Sequence, residues 1–263
     1  MGSDSTFARD PSLRRSGEGK SSLIPISIRI GINPISWTND DLPALGGEMP
    51  LETALSEGKA IGYEGFELGN KFPREPDALR SVLARHGLAC VSGWYSGRLG
   101  RGTVTDEIAA VEKHLTLLAK NGAKVMVYGE VADSIQGRPD ALSRRPRFGT
   151  DAEWTAYGER VTAFAKHLLA RGVRLAYHPH MGANVETAED VDRLMSLTGS
   201  EVGLLRDARY RGWLVVEGEQ DPAVAPVYRY ADMAYRLLSA LVAGKSDAEA
   251  RAAAAAGRAG AAA

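Results

Sequence analysis

Two histidines, His178 and His180, stand two apart at the end of the apolar run Arg174–Tyr177, in the segment Tyr177-His178-Pro179-His180-Met181-Gly182. Alternate side chains of an extended segment point to one face, so both imidazoles can reach a common centre, as metal ligands or as ligand and base. Three glutamates, Glu67, Glu130 and Glu217, each directly end another short apolar run. A carboxylate in that position can hold a divalent cation or act as general acid or base, although an ion pair at a wet strand end uses the same group. Lys71 and Arg98 follow two of these runs and could bind an anion or a hydroxyl-rich substrate. Asn33, Trp37, Trp94 and Tyr95 lie in the neighbouring segments. Aromatic faces there can wall a pocket against a sugar ring, or simply pack. His86, His114 and His167 fall within or at the end of helical stretches and read as structural.

These groups need a scaffold, and the periodicity supplies one. Apolar runs of strand length occur at Ser27–Ile32, Gly65–Leu68, Ala89–Ser92, Lys124–Tyr128, Arg174–Tyr177, Glu201–Leu205 and Trp213–Val216. Helical spacing occupies Leu51–Ala60, Asp77–His86, Val104–Lys120, Trp154–Ala170 and Ala188–Leu197, with Gly62, Gly87, Gly122 and Gly172 where left-handed C-caps belong. A repeated strand, helix, glycine, strand order implies parallel strands with helical crossovers, and a (β/α) barrel is the first choice. In such a barrel reactive groups sit at the carboxyl ends of the strands, where all of the residues above fall. The rhythm breaks once. Only Arg206–Gly212 separate the sixth run from the seventh, whereas a parallel crossover needs about a dozen residues. The two strands are therefore antiparallel, or not neighbours, or units of the barrel are absent. The expected fold is an α/β barrel with about six to seven strands.

Composition narrows the function. With 32 Lys+Arg against 33 Asp+Glu, the net charge of -1 provides no field for nucleic acid or an acidic membrane surface. No apolar run approaches the roughly 20 residues that span a bilayer. The single cysteine, Cys90, excludes an internal disulfide and a cysteine-rich zinc module, and it suits a reducing, cytoplasmic setting. Cys90 lies inside a strand without a cationic neighbour, and there is no G-x-G-x-x-G after a strand, no Walker pattern and no G-x-S-x-G elbow. Residues 1–23 are polar and expected to form a disordered arm, residues 24–243 the barrel domain, and residues 244–263 an alanine-rich disordered tail without an apolar stripe to dock.

The stretches GINPISWTNDDLPALGGE (31–48), GYEGFELGNKFPR (62–74), VSGWYSGRL (91–99), SIQG (134–137), LSRRP (142–146), LAYHPHMG (175–182) and RGWLVVEGEQDP (211–222) are mostly long and specific. In them the chain resembles the myo-inosose-2 dehydratase family of xylose-isomerase-like barrels. The resemblance implies a (β/α)8 barrel that removes water from 2-keto-myo-inositol, a cyclic polyol ketone, to give a trihydroxycyclohexane-1,2-dione with Mn(II) or Co(II). It assigns metal binding to His178 or His180, to an aspartate at strand six and to Glu217, leaving Glu67, Lys71, Glu130 and His180 for proton transfer. Asn33, Trp37, Trp94, Tyr95 and Arg98 would line the substrate. The family's sixth strand resembles G-L-L-x-D-T-G-H, where this chain has Gly203-Leu204-Leu205-Arg206-Asp207-Ala208 and then runs into the approach to the eighth strand. Asp207 is the strand-six ligand or part of the helix before strand eight, and the seventh strand with its histidine is missing. Weak metal binding, and slow turnover or none at all, follow as expectations. An isomerase or epimerase of sugars or keto acids on the same barrel is the enzymatic alternative. An inactive scaffold that pairs through its open edges, as a homo-oligomer or with another chain, is the non-enzymatic one.

Overall fold

A computed structural model describes residues 28–40, 42–203, 211–219, 221 and 224–256. Residues 1–23 and Asp207 lie outside them. Seven strands form one sheet: β1 Ile28–Ile32, β2 Gly65–Leu68, β3 Ala89–Gly97, β4 Val125–Glu130, β5 Arg174–Tyr177, β6 Val202–Gly203 and β7 Gly212–Val216. Every pairing is parallel and the order is β6-β5-β4-β3-β2-β1-β7. The break in spacing now has its explanation. β6 pairs with β5 and β7 pairs with β1, Ile28 opposite Gly212 through Ile32 opposite Val216, so the two strands occupy opposite edges of the sheet. The sheet is an incomplete barrel of the expected type.

Helices α1 Leu51–Ile61, α2 Pro76–Arg85, α3 Val104–Lys120, α4 Asp151–Ala170 and α5 Ala188–Leu197 follow β1 to β5 in turn. Gly62, Gly87, Gly122 and Gly172 all have positive φ just past a helix end, the conformation that suits glycine there. Two further helices close the chain. α6, Val227–Val242, lies beside α1, with the Tyr63 hydroxyl donating to the Ala231 carbonyl at 2.9 Å and the Tyr63 and Tyr235 rings edge to face. α7, Asp247–Ala256, corrects the expectation of a disordered tail. Ser246 and Glu249 bond reciprocally across its first turn, alanine has the best helix propensity, and Ala250 is fully buried. Among the described residues no helix is long and apolar enough to cross a membrane.

Strand alternation gives the sheet two faces of different character. On the outer face Phe66 packs against Gly58 of α1, and Tyr95 and Tyr128 pack against Phe164 of α4. The inner face is lined at its base by small residues: Gly31 and Gly65 leave room for Trp213 and Val91. Arg29 lies over the Trp213 ring at 3.8 Å, and its side chain is 42% exposed. A closed barrel would pack this space with apolar side chains. Here every residue of β7 is only half-buried, because the neighbouring strand position is empty among the described residues.

Two outcomes test this packing. A Cβ at Gly97 would overlap the Tyr128 ring, which cannot swing aside because its hydroxyl is bonded to Glu130 and to the Leu99 amide. Gly97→Ala should cost about 1–3 kcal/mol in urea unfolding. His114 is buried against Gly93 and Tyr95, and burial first, with the nearby Arg74 charge adding to it, lowers its pKa to about 4. Its depressed pKa makes folding favour the neutral ring, so the benefit is complete above the ordinary histidine pKa and disappears as pH falls toward 4. Unfolding midpoints measured from pH 7 to pH 4 should therefore drop more steeply in the parent chain than in a His114→Gln variant.

Candidate functional site

At the carboxyl end of the sheet a pocket of about 190 Å³ opens on the inner face. Asn33 from the end of β1, Trp94 from β3, His178 and His180 from the end of β5, and Glu217 and Glu219 from the end of β7 line it. β5 and β7 are far apart in strand order, so only a curled sheet brings them to one pocket. Trp94 stands in T-shaped contact with both imidazoles, with centroid distances of 5.2 Å to His178 and 5.9 Å to His180. The indole fits there because residue 129 of β4 is glycine: a Cβ at Gly129 would occupy the Trp94 ring.

The two histidines are held differently. His178 is partly buried, and desolvation, then the neighbouring His180, lower its pKa while Glu219 opposes them. His180 has its Nδ1 3.0 Å from the Met181 carbonyl, an acceptor only, so the neutral ring carries its proton on Nδ1 and leaves the Nε2 lone pair free.

Glu67 sits behind the pocket wall, 6% exposed. It accepts from Asn33 Nδ2 at 2.7 Å and from Ser92 Oγ at 2.5 Å. Burial raises its pKa, and the charge of Glu217 adds to the effect against the hydrogen bonds. Ser92 reaches it through an irregular register: Phe66 pairs with Cys90 but Leu68 with Gly93, so Val91 and Ser92 together oppose Glu67. This bulge aims Ser92 inward, and nothing in the sequence pattern announces it.

The remaining expected site residues are elsewhere. Glu130 shares the parity of Tyr128 and faces the helices, 1% exposed. It accepts from the hydroxyls of Tyr128 at 2.8 Å and Tyr157 at 3.1 Å and from the amides of Gly100 and Ala132, both at 2.8 Å. Burial raises its pKa, and those four bonds counter the rise. It is a structural knot rather than an acid or base of the pocket. Tyr95 also faces outward, stacked on Phe164 and His114, with its hydroxyl 2.5 Å from Glu107 Oε1. Arg98 is exposed, and its amide donates to the same Glu107 carboxylate. Trp37 is fully buried against Phe66, its Nε1 donating to Glu57 at 2.6 Å. Lys71 Nζ donates to the carbonyls of Gly47 at 2.6 Å and Met49 at 2.5 Å, so it pins the β1–α1 loop instead of facing a substrate.

Glu219, which sequence reasoning passed over, lies two residues past Glu217 and so shares its side of an extended chain. Gln136 of the β4–α4 loop also lines the pocket. That loop is anchored by Arg145, whose buried guanidinium donates to the carbonyls of Ala183 and Asn184 and to Asp190 Oδ2 at 2.6 Å.

Among the described residues no three of the histidine, aspartate, glutamate and cysteine side chains stand close enough together to hold a metal ion. The imidazoles of His178 and His180 are 5.9 Å apart and Glu217 lies on the same pocket, but the set as placed does not fit a Mn(II) or Co(II) centre.

The pattern that defines the Xylose isomerase-like TIM barrel family matches residues 55–208. The chain is 51% identical to "Rhizopine catabolism protein MocC" of Rhizobium meliloti over 194 residues, which cover 72% of this chain and 58% of that one. It is 37% identical to "Inosose dehydratase" of Geobacillus thermodenitrificans over 195 residues, covering 73% and 64% of the two chains. With "Inosose dehydratase" of Glaesserella parasuis the identity is 36% over 204 residues, covering 78% and 68%. The chain thus spans less than two thirds of the length of the first two of these relatives.

The placement of Glu130 has a measurable consequence. Glu130→Ala would leave two tyrosine hydroxyls and two amides without their acceptor in the buried layer, at a cost of about 3 kcal/mol or more in chemical unfolding. A catalytic role for Glu130 would instead show as lost turnover with unchanged stability.

Proposed function

Because the chain belongs to the Xylose isomerase-like TIM barrel family, we propose that it is a hydro-lyase of the inosose dehydratase type, acting slowly on a cyclic polyol ketone. The observation that carries the reading is the pairing of His178 and His180 on the inner face against Trp94, in the pocket that Glu217 and Glu219 close from the other edge of the sheet. The relatives named inosose dehydratase support the reaction class.

Loss of water beside a ketone needs a base for the proton on the flanking carbon and a proton for the departing hydroxyl. His180 presents a free Nε2 lone pair and takes the carbon-bound proton. The electrons of that C–H bond form a carbon–carbon double bond as the hydroxyl on the next carbon leaves. The imidazolium returns the proton to that hydroxyl, so water departs and the histidine is restored. The resulting enol relaxes to the 1,2-dione. His178, whose pKa burial lowers, offers a second imidazole to the substrate oxygens, and Trp94 shields the ring from water. Asn33 is fixed between Glu67 and the Ile35 amide, which makes it a rigid wall. The expected Mn(II) or Co(II) remains part of the proposal only together with Asp207, so no step above depends on it. The expected cytoplasmic setting belongs to the same proposal.

Dione formation from 2-keto-myo-inositol, followed by absorbance with and without Mn(II), tests the reading. The expected rate is measurable, about 100-fold or more below that of a complete barrel, since misplaced groups about 1 Å out of register lose on that order. His180→Ala should abolish it without changing the unfolding midpoint. No turnover above the blank in the parent chain would refute the proposal.

A further inference from the structure

A second and larger cleft, of about 470 Å³, lies on the far side of the β4–α4 loop and shares no lining residue with the inner pocket. Arg101, Arg144, Arg147 and Arg160 converge on it, with Asp133 and Glu153 as the carboxylates of its wall. We propose that this cleft binds a small phosphate monoester, its phosphate on the arginines and its organic part on the floor of Ala132, Phe148 and Ala156.

The charges are unevenly spent. Asp133 is committed to Arg101, Nε to Oδ2 at 2.5 Å, and it is held there by a φ of 59°, a left-handed conformation rarely adopted outside glycine. Glu153 accepts through Oε2 from the amides of Gly149 at 2.7 Å and Thr150 at 2.9 Å, closing the first turn of α4. Arg160 uses Nε on the Leu99 carbonyl at 2.7 Å, and Arg144 is 3.9 Å from Asp140, which stands nearer to Arg138 at 2.7 Å. Arg147 has no hydrogen bond or ion pair with any described residue. Four guanidinium groups against two wall carboxylates leave two positive charges, which matches a phosphate monoester carrying about -1.5 to -2 at neutral pH. Guanidinium forks suit phosphate oxygens in a way that a lone ammonium does not.

The site is also built rather than loose. Arg144 and Arg147 flank Arg145, whose side chain is only 1% exposed and locked onto the β5–α5 loop, so the backbone that presents them is fixed. Phe148 packs against Tyr157 at 4.6 Å and edge to face against Trp154 at 5.1 Å, which gives the floor a firm aromatic base. The volume exceeds that of a bare phosphate and lies in the range of about 300–1,000 Å³ typical of small-molecule sites.

Calorimetric titration of the full chain at constant ionic strength, with phenyl phosphate, inorganic phosphate and phenol as probes, tests the proposal. Phenyl phosphate should bind saturably at one site, phenol should not bind, and inorganic phosphate should bind more weakly. Arg147→Ala should weaken phenyl phosphate by about tenfold and Arg147→Glu should abolish it. His180→Ala should leave it unchanged. Arg147 is exposed, so both of its variants should keep the parent's circular dichroism and melting curve. Absence of saturable binding, equal binding by Arg147→Glu, or loss of binding in His180→Ala would each overturn the assignment, the last by placing the anion in the inner pocket. None of these outcomes depends on dehydratase activity.

Discussion

The two-residue alternation of strand side chains decides what this molecule can do. Each strand offers its residues in turn to the helices and to the interior, and a carboxylate at a strand end belongs to one world or the other by parity alone. Glu67, His178 and His180 fall inside. Tyr95, Tyr128, Glu130 and Tyr177 fall outside, where they knit β3, β4 and β5 to α4 through Glu130 and Tyr157. Of the inner set His178 and His180 are partly exposed while Glu67 is buried behind them, whereas Tyr128, Glu130 and Tyr177 of the outer set are buried and joined by hydrogen bonds. Chemistry and cohesion are thus divided between the two faces of the same strands.

Small residues make that division workable. Gly129 vacates the volume into which Trp94 turns, and Trp94 in turn contacts both imidazoles. Gly31 and Gly65 do the same lower down for Trp213. At the open edge this interior is wetted, as the exposure of Arg29 beside Trp213 shows. Electrostatic interactions there are screened more than in a sealed barrel, which weakens whatever charge stabilisation the inner pocket can provide.

Much of the architecture was legible because strand runs, helical spacing and glycine caps are local signals. The shortage of residues between Leu205 and Trp213 correctly located the discontinuity in the barrel. Other features were hidden for specific reasons. Glu130 ends its strand like a rim carboxylate, yet it shares the parity of Tyr128 and so turns to the helices, and Trp37 follows its strand like a pocket wall, yet it turns back under α1 to reach Glu57. Lys71 bonds carbonyls of a loop more than twenty residues away in the chain, a contact no spacing rule reveals. The bulge at Val91 and Ser92 is a tertiary event with no sequence mark. α7 carries one local sign, the Ser246-x-x-Glu249 box, but no apolar stripe accompanies it to mark a docked helix.

The pairing of β7 with β1 sets an order of events for the chain as it folds. Every other strand pair joins neighbours in the sequence, so β1 to β6 can zip together as each helix forms, with small loops to close. β7 must instead find Ile28–Ile32 from the other end of the domain, and the entropy of closing so long a loop delays that contact. Until it docks, β1 presents a bare backbone ladder, which makes the interval before its capture the moment at which the nascent chain is most exposed to self-association.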